Sequence, residues 1–331
     1  MKRKITVLFA SALLMLFVST ALYAWNFRTH ELIAKHTARV LPLPLRIFYT
    51  GSIVSFSRMS VQPDLDKEYD PEEHYNHYIN IDNLEKYPFS GFPLTFNGAV
   101  DKYGEDSALE TGLLPFAIYE TKEKLKNDFK KGSTSGALRH SGYLCHYVAD
   151  ACMPLHVTAN YNGQLTDQYG VHSNYESRMI DANLKQIIPG QNIKVEQIPE
   201  EAFRKYIMDV IVTSYDNAAP VLAADKKARA ADPLVGDRYI EVLFAETERI
   251  TGQSIDRAVK TTADIIYTAW KEAGSPYMTP ADNSESGETP EPSQKKSILS
   301  MIVPGALTVA LIIGVIIMFF QYKSGRDDIG P

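Results

Sequence analysis

Positions 146–156 read His146-Tyr147-Val148-Ala149-Asp150-Ala151-Cys152-Met153-Pro154-Leu155-His156, and positions 172–176 read His172-Ser173-Asn174-Tyr175-Glu176. Residues four apart share one face of an α-helix, so His146 and Asp150 point the same way, as do His172 and Glu176. Each pair is a two-pronged grip for a metal ion. Pro154 disfavours helix at and before its own position, so the first helix is predicted to stop there and His156 leaves its direction, free to serve a neighbouring ion. A single His–carboxylate pair also reads as a solvated salt bridge; two such pairs with His156 point to metal binding.

Outward from this stretch the pattern stays helical. Apolar residues at three-to-four spacing predict helices over Glu31–Val40, Ala108–Lys131, Gly136–Ala151, Glu200–Ala224 and Tyr239–Ala273. Alternating strand patterns are scarce, and the breaks carry turn chemistry at Pro42 and Pro44, at Ser90-Gly91-Phe92-Pro93 and at Lys131-Gly132-Ser133. The expected fold class is all-α, a single multi-helix domain. There is no internal repeat, no dinucleotide-binding glycine motif and no P-loop, and Gly132-Ser133-Thr134-Ser135-Gly136 has Thr where a nucleophile elbow needs Ser. Nucleotide cofactors and serine hydrolysis therefore lack support. Cys145 and Cys152 stand seven apart in one helical segment, about 10 Å along the axis and too far to bridge, and read as buried small residues.

Both ends of the 331-residue chain read as membrane traffic. Lys2-Arg3-Lys4, the apolar run 5–18 and the small-residue stretch Ser19 to Ala24 form a secretory signal over 1–24, with an uncleaved signal anchor as the alternative. Cleavage after Ala24 makes Trp25 the mature N-terminus. Ile298 to Phe320 is uncharged and long enough to span a bilayer as a transmembrane helix, a buried core helix being the alternative. Residues 275–297, rich in Ser, Glu, Pro and Gly, read as a flexible linker, and 321–331 as a cytoplasmic tail. The expected domain is 25–274, exported and held outside the membrane by its C-terminal anchor. With pI near 5.8 and a formal charge of −6, the chain offers no broad basic face for nucleic acid, so an anionic substrate would be held by local cations such as metals.

Further nitrogen and oxygen ligands precede the central stretch: Trp25 and His30 near the expected mature end, Asp64 in Pro63-Asp64-Leu65-Asp66-Lys67, and His77 in His74-Tyr75-Asn76-His77-Tyr78-Ile79-Asn80. A set without thiolate favours zinc in a catalytic setting, with manganese and iron not separated from it. Of eight histidines, His36, His74 and His140 fall outside the pattern, and His74 competes with His77.

In this order and spacing, Trp25, His30, Asp64, His77, His146-x3-Asp150-x5-His156 and His172-x3-Glu176, the sequence resembles the zinc-dependent phospholipase C and S1/P1 nuclease superfamily, over most of residues 25–180. His77-Tyr78-Ile79-Asn80-Ile81-Asp82 and Asn160-Tyr161-Asn162-Gly163-Gln164 look most like its bacterial phospholipase C-like branch. The resemblance implies three zinc ions: one on Asp64, His77, His146 and Asp150, a second on His156, His172 and Glu176, and a third on the amine and carbonyl of Trp25, on His30 and on a bridging Asp150. It implies phosphodiester hydrolysis by a metal-activated hydroxide, and export would complete the site by freeing the Trp25 amine. Asp64, Asp150 and Lys67 are the candidate catalytic residues. Lys67 stands where family nucleases place a phosphate-contacting Arg, or is simply surface. Tyr78 and Asn80 match base-contacting positions of those nucleases, although Asn replaces their Asp and Tyr78 also fits a core role. The expected partner is a phosphodiester, phospholipid first and nucleotide or single-stranded nucleic acid second. A non-catalytic zinc-dependent binding module is the third reading, and no protein partner is expected.

Overall fold

A computed structural model of the chain describes residues 27–190 and 192–281. In chain order its helices are α1 (Phe27–Val40), α2 (Leu45–Gly51), α3 (Ile53–Met59), α4 (Gln62–Asp66), α5 (Phe96–Tyr103), α6 (Glu105–Thr111), α7 (Leu114–Lys131), α8 (Thr134–Cys152), α9 (Val171–Ser173), α10 (Ile180–Asn183), α11 (Glu200–Tyr215), α12 (Ala218–Ala231) and α13 (Asp237–Glu272). Short 3₁₀ turns occupy Glu73–His77, Ile81–Asn83 and Pro154–His156, and a π turn, Asn174–Met179, joins α9 to α10. No strand occurs among the described residues.

The architecture is arranged around α8, which packs against α1, α3, α4, α7, α11 and α13. Every residue from Leu144 to Cys152 is buried, so α8 has no solvent face along the stretch that carries His146 and Asp150. Its start is well defined. Gly132 closes α7 in the left-handed conformation (φ 64°), and Ser133 caps α8 by accepting from the Gly136 N–H at 3.2 Å. Its end follows from Pro154: the helix stops at Cys152 and the chain turns through Pro154–His156. On α1 the buried positions His30, Ile33, Ala34, Thr37 and Ala38 form one stripe, which sets His30 inward against α8.

Two predicted helices are split. The run Ala108–Lys131 breaks at Gly112, where φ is 106° and a Cβ would lie 2.1 Å from the Tyr78 carbonyl oxygen. That close approach brings the His77 turn onto the start of α7. The run Glu200–Ala224 breaks after Tyr215, because Pro220 has no N–H to offer the Asp216 carbonyl and fits the first turn of a new helix, α12. Cys145 and Cys152 are buried free thiols, as expected.

The C-terminal reading is corrected. The expected fold joined the all-α domain to a transmembrane helix at 298–320, but no described helix is long and apolar enough to cross a membrane. The span, the signal over 1–24 and the tail lie outside the described residues. Among the described residues the fold is the all-α domain, with no helix that could cross a membrane. The chain does not leave the domain at 275 either: Met278 is buried, the Trp270 indole donates to the Pro276 carbonyl at 2.8 Å, and the Ala281 N–H donates to Ser52 Oγ at 2.8 Å.

Gly142 permits a close helix contact at the core. A Cβ there would lie 2.3 Å from Met59 Cβ and 2.5 Å from the Met59 carbonyl carbon, at the end of α3. Gly142→Ala is expected to destabilise the fold. The helix-propensity gain of about 1 kcal/mol is outweighed by overpacking against rigid backbone, costing about 1–3 kcal/mol with a further loss from displacing Ser60. Urea unfolding checks this, and a raised midpoint would show that α3 gives way freely.

Candidate metal centre

Seven ligand candidates from the described elements meet beside α8. His77 Nδ1 lies 3.0 Å from Asp150 Oδ2 and 3.0 Å from His146 Nε2, and His146 Nε2 lies 3.3 Å from Asp150 Oδ2. Asp64 Oδ1 stands 3.7 Å from both imidazole nitrogens. Alongside, His156 Nε2 and His172 Nε2 each lie 3.2 Å from Glu176 Oε2. Zinc bonds of about 2.0–2.1 Å at tetrahedral angles separate neighbouring ligand atoms by about 3.3 Å, which is the spacing seen here. His30, an eighth candidate, stacks on His146 with ring centroids 4.0 Å apart, and its Nε2 lies 3.7 Å from Asp150 Oδ1. Trp25 lies outside the described residues.

The imidazoles are held in the tautomer that metal binding needs. His146 Nδ1 faces the Ser60 carbonyl at 2.9 Å, His156 Nδ1 the His77 carbonyl at 2.6 Å, and His172 Nδ1 the Tyr161 carbonyl at 3.1 Å. A carbonyl only accepts, so each Nδ1 carries a proton and donates it, which leaves each Nε2 facing the carboxylates, where a proton or a metal ion can stand between them. His77 is turned round: Nδ1 faces the ligands and Nε2 lies 3.4 Å from Glu73 Oε1. Glu73 in turn accepts from the Tyr147 hydroxyl at 2.6 Å and from Asn76 Nδ2 at 3.0 Å.

Burial and charge oppose each other throughout. Burial raises the Asp150 carboxyl, but His146 and His156 beside it win and hold it well below the usual carboxylate range. Burial lowers His156, yet Asp150 and then Glu176 bring it up to about 9. Burial likewise lowers His146, and Asp150 and Asp64 overcome it, whereas His30 stays well below its ordinary value through burial and the neighbouring His146. Asp150 Oδ1 is buried with no hydrogen-bond donor. Such an atom in a converging set of nitrogen and oxygen donors fits a bound cation, and the residues present fit zinc.

Of the other sequence candidates, Lys67 Nζ lies 2.6 Å from Asp64 Oδ1 at the edge of the cluster, its side chain about one-fifth exposed. Tyr78 is half-buried, with its hydroxyl toward the Glu110 carbonyl at 3.4 Å. The Asn80 N–H donates to the Thr111 carbonyl at 2.7 Å, while its side-chain Oδ1 is buried without a donor. His74 is exposed and outside the cluster, whereas His77 is buried within it. Glu73 is absent from the sequence reading, although its four-residue offset from His77 repeats the spacing of the two helical pairs. A third acidic group, Glu123, Glu200 and Glu272, gathers round the buried Lys122 ammonium at 2.9, 2.8 and 2.5 Å, with Lys126 pairing with Glu123 and Glu272 beside it.

Removing the Glu73 charge while keeping its shape should loosen His77 as a ligand. Glu73→Gln is expected to weaken the ion beside His77 by roughly 10–100-fold with the fold retained. Competition with a chromophoric chelator measures this, and an unchanged affinity would remove Glu73 from the site.

Among solved structures, the chain is similar to Clostridium perfringens alpha-toxin isolated from avian strain SWCP, with 16% identity and a TM-score of 0.47, covering 75% of this chain and 64% of that one. It is also similar to the alpha toxin from Clostridium absonum, with 16% identity and a TM-score of 0.44, covering 74% and 64%. The chain thus spans 64% of the length of these toxins. No curated protein matches it in sequence. The family model described as zinc dependent phospholipase C matches residues 29–219, more than half of the chain and every described ligand candidate, and the chain belongs to that family.

Proposed function

We propose that this protein hydrolyses phosphodiesters of the phospholipid class at a site of three zinc ions. One observation carries the reading: two ligand sets at zinc-ligand spacing adjoin, and Asp150 turns one oxygen toward His146 Nε2 and the other toward His30 Nε2. In the proposed site, Asp64, His77, His146 and Asp150 hold one ion, His156, His172 and Glu176 a second, and His30, Asp150 and Trp25 a third. Bound zinc supplies Lewis-acid charge and a nucleophile at neutral pH.

The chain's own residues do the rest. Asp150 would be the bridge, and its rigidity comes from a helix buried on every side. The carbonyls of Ser60, His77 and Tyr161 fix ring orientation, so the ligand set is preorganised before substrate arrives. With three divalent ions held there, the charge would exceed that of the carboxylates of Asp64, Asp150 and Glu176, and the pocket would be positive within an acidic protein, suited to an anionic diester. Lys67 adds a point charge at the rim, without the bidentate fork of an arginine. Family membership favours a phospholipid, and nucleotide cleavage is the alternative that experiment must separate.

The test uses the purified protein loaded with zinc. It is expected to cleave short-chain phosphatidylcholine or phosphatidylethanolamine faster than single-stranded DNA or RNA at equal phosphate, and to carry about three ions by elemental analysis. Asp150→Asn should lose more than one ion and nearly all activity. Degradation of single strands with phospholipid left intact would replace the lipid reading by the nuclease one; a variant keeping its full metal content would remove Asp150 as a bridge.

A further inference from the structure

The loop 157–170 carries the Tyr161 carbonyl that faces His172, and a carboxylate fastens it at each end. At its start, Asp82 accepts from Thr158 Oγ1 at 2.9 Å and from the Ala159 N–H at 2.7 Å. At its end, the fully buried Asp225 on α12 accepts from Gln168 Nε2 and from Arg229 Nε, both at 2.7 Å, and from the Tyr239 hydroxyl. Arg229 Nη2 continues the grip, donating to the carbonyls of Gln168 at 3.2 Å and Tyr169 at 2.8 Å. The Gln168 main chain closes over Gly163, where φ is 71° and a Cβ would lie 2.5 Å from the Gln168 oxygen. Inside the loop, Asn160 Oδ1 accepts from the Leu165 N–H at 2.8 Å, and Asn162 Oδ1 from the Gly170 N–H at 3.0 Å.

A surface loop does not need a buried carboxylate to close it. Burying Asp225 is costly unless every lone pair is met, and the partners that meet it are the loop's own Gln168, the Arg229 that holds the next carbonyls, and Tyr239. Two residues after Gly170 comes His172, whose ring orientation depends on where Tyr161 stands. Asp225, Gln168 and Arg229 lie outside the ligand pattern altogether.

We infer that Asp225 is a positioning residue for the triad His156, His172 and Glu176: through Gln168 and Arg229 it fixes the loop whose Tyr161 carbonyl aims His172 Nε2 at Glu176. The inference rests on the proposed reading of that triad as a metal site. Asp225 touches no ligand; it sets the affinity of the triad by removing the freedom of the carbonyl that orients one ligand.

The experiment uses the full chain loaded with zinc. Zinc affinity is measured by chelator competition for the wild type, Asp225→Asn, His172→Ala and Lys122→Met, together with melting temperature and the visible band of the cobalt-substituted protein. Asp225→Asn is expected to weaken one ion by roughly 10–100-fold, to shift the cobalt band at saturating cobalt, and to leave the other ions in place. Lys122→Met removes a charge from a different buried hub and should lower the melting temperature without weakening any ion bound by the wild type or moving its cobalt band, since an ion taken up by the uncovered Glu123, Glu200 and Glu272 adds to the count. If Asp225→Asn does not fold, Arg229→Lys, which loosens the Gln168 and Tyr169 carbonyls, carries the same expectation. Unchanged zinc affinity and cobalt band on loosening the loop overturn the inference, as does an equal loss in Lys122→Met. If His172→Ala costs the wild type no ion, the triad is not a metal site and the inference falls with that reading.

Discussion

The structure depends on one buried carboxylate. Asp150 sits on a helix with no solvent face, where an ionised group costs on the order of several kcal/mol unless positive charge and hydrogen bonds answer it. His77, His146 and His156 surround it, and all three are themselves buried polar groups that need partners. The mutual requirement of acids and imidazoles makes this part of the core specific. An apolar substitution of similar volume would pack, but it would leave the histidines without the charge that raises His146 and His156 against burial.

From that constraint the paths of several segments follow. The chain leaving α3 must pass close enough for the Ser60 carbonyl to reach His146, and Gly142 provides the space. The 3₁₀ turn Glu73–His77 must lie on α8, and Gly112 admits the Tyr78 main chain that brings it there. The His77 carbonyl then serves His156, so one segment supplies a ligand to one set and an orienting acceptor to the next. Glycine at these two positions is therefore a packing requirement of the metal centre, exerted through backbone rather than side chains.

What was legible in the sequence was what helical geometry writes locally. The four-residue spacings of His146 with Asp150 and His172 with Glu176, the stop before Pro154 and the inward stripe of α1 all follow from rules a few residues long. The ligands' convergence from distant segments came from resemblance, since no periodicity shows that His77 outranks His74. Burial decides between them, and burial at a 3₁₀ turn is set by Gly112, far along the chain. The carbonyls of Ser60, His77 and Tyr161 leave no mark in sequence, because every residue has one. Glu73 did leave a mark, a four-residue offset from His77, but it lies in a short turn rather than in a periodic helix. The breaks at Gly112 and Tyr215 were hidden by apolar spacing that continues in register across them.

The two ligand sets differ in how they are supported, and this bears on how the centre works. His146 and Asp150 belong to the best-packed helix of the fold, and the positions of His77 and Asp64 are fixed against it. His172 and Glu176 belong to a helix of one turn running into a π turn, and the loop before them is held by side-chain hydrogen bonds rather than by apolar packing. The π turn, Asn174–Met179, contains Glu176, so the carboxylate is displaced from the position a regular α-helix would give it, a local irregularity common at functional sites. Hydrogen-bonded loops open at lower free energy than packed helices, and the clamp of Asp225 and Arg229 on the loop answers that tendency on the His172 side as apolar packing does on the Asp150 side. One ligand set is thus secured by a helix packed on every side and the other by a buried polar hub, and both depend on buried carboxylates, Asp150 and Asp225, whose charge neighbouring side chains answer.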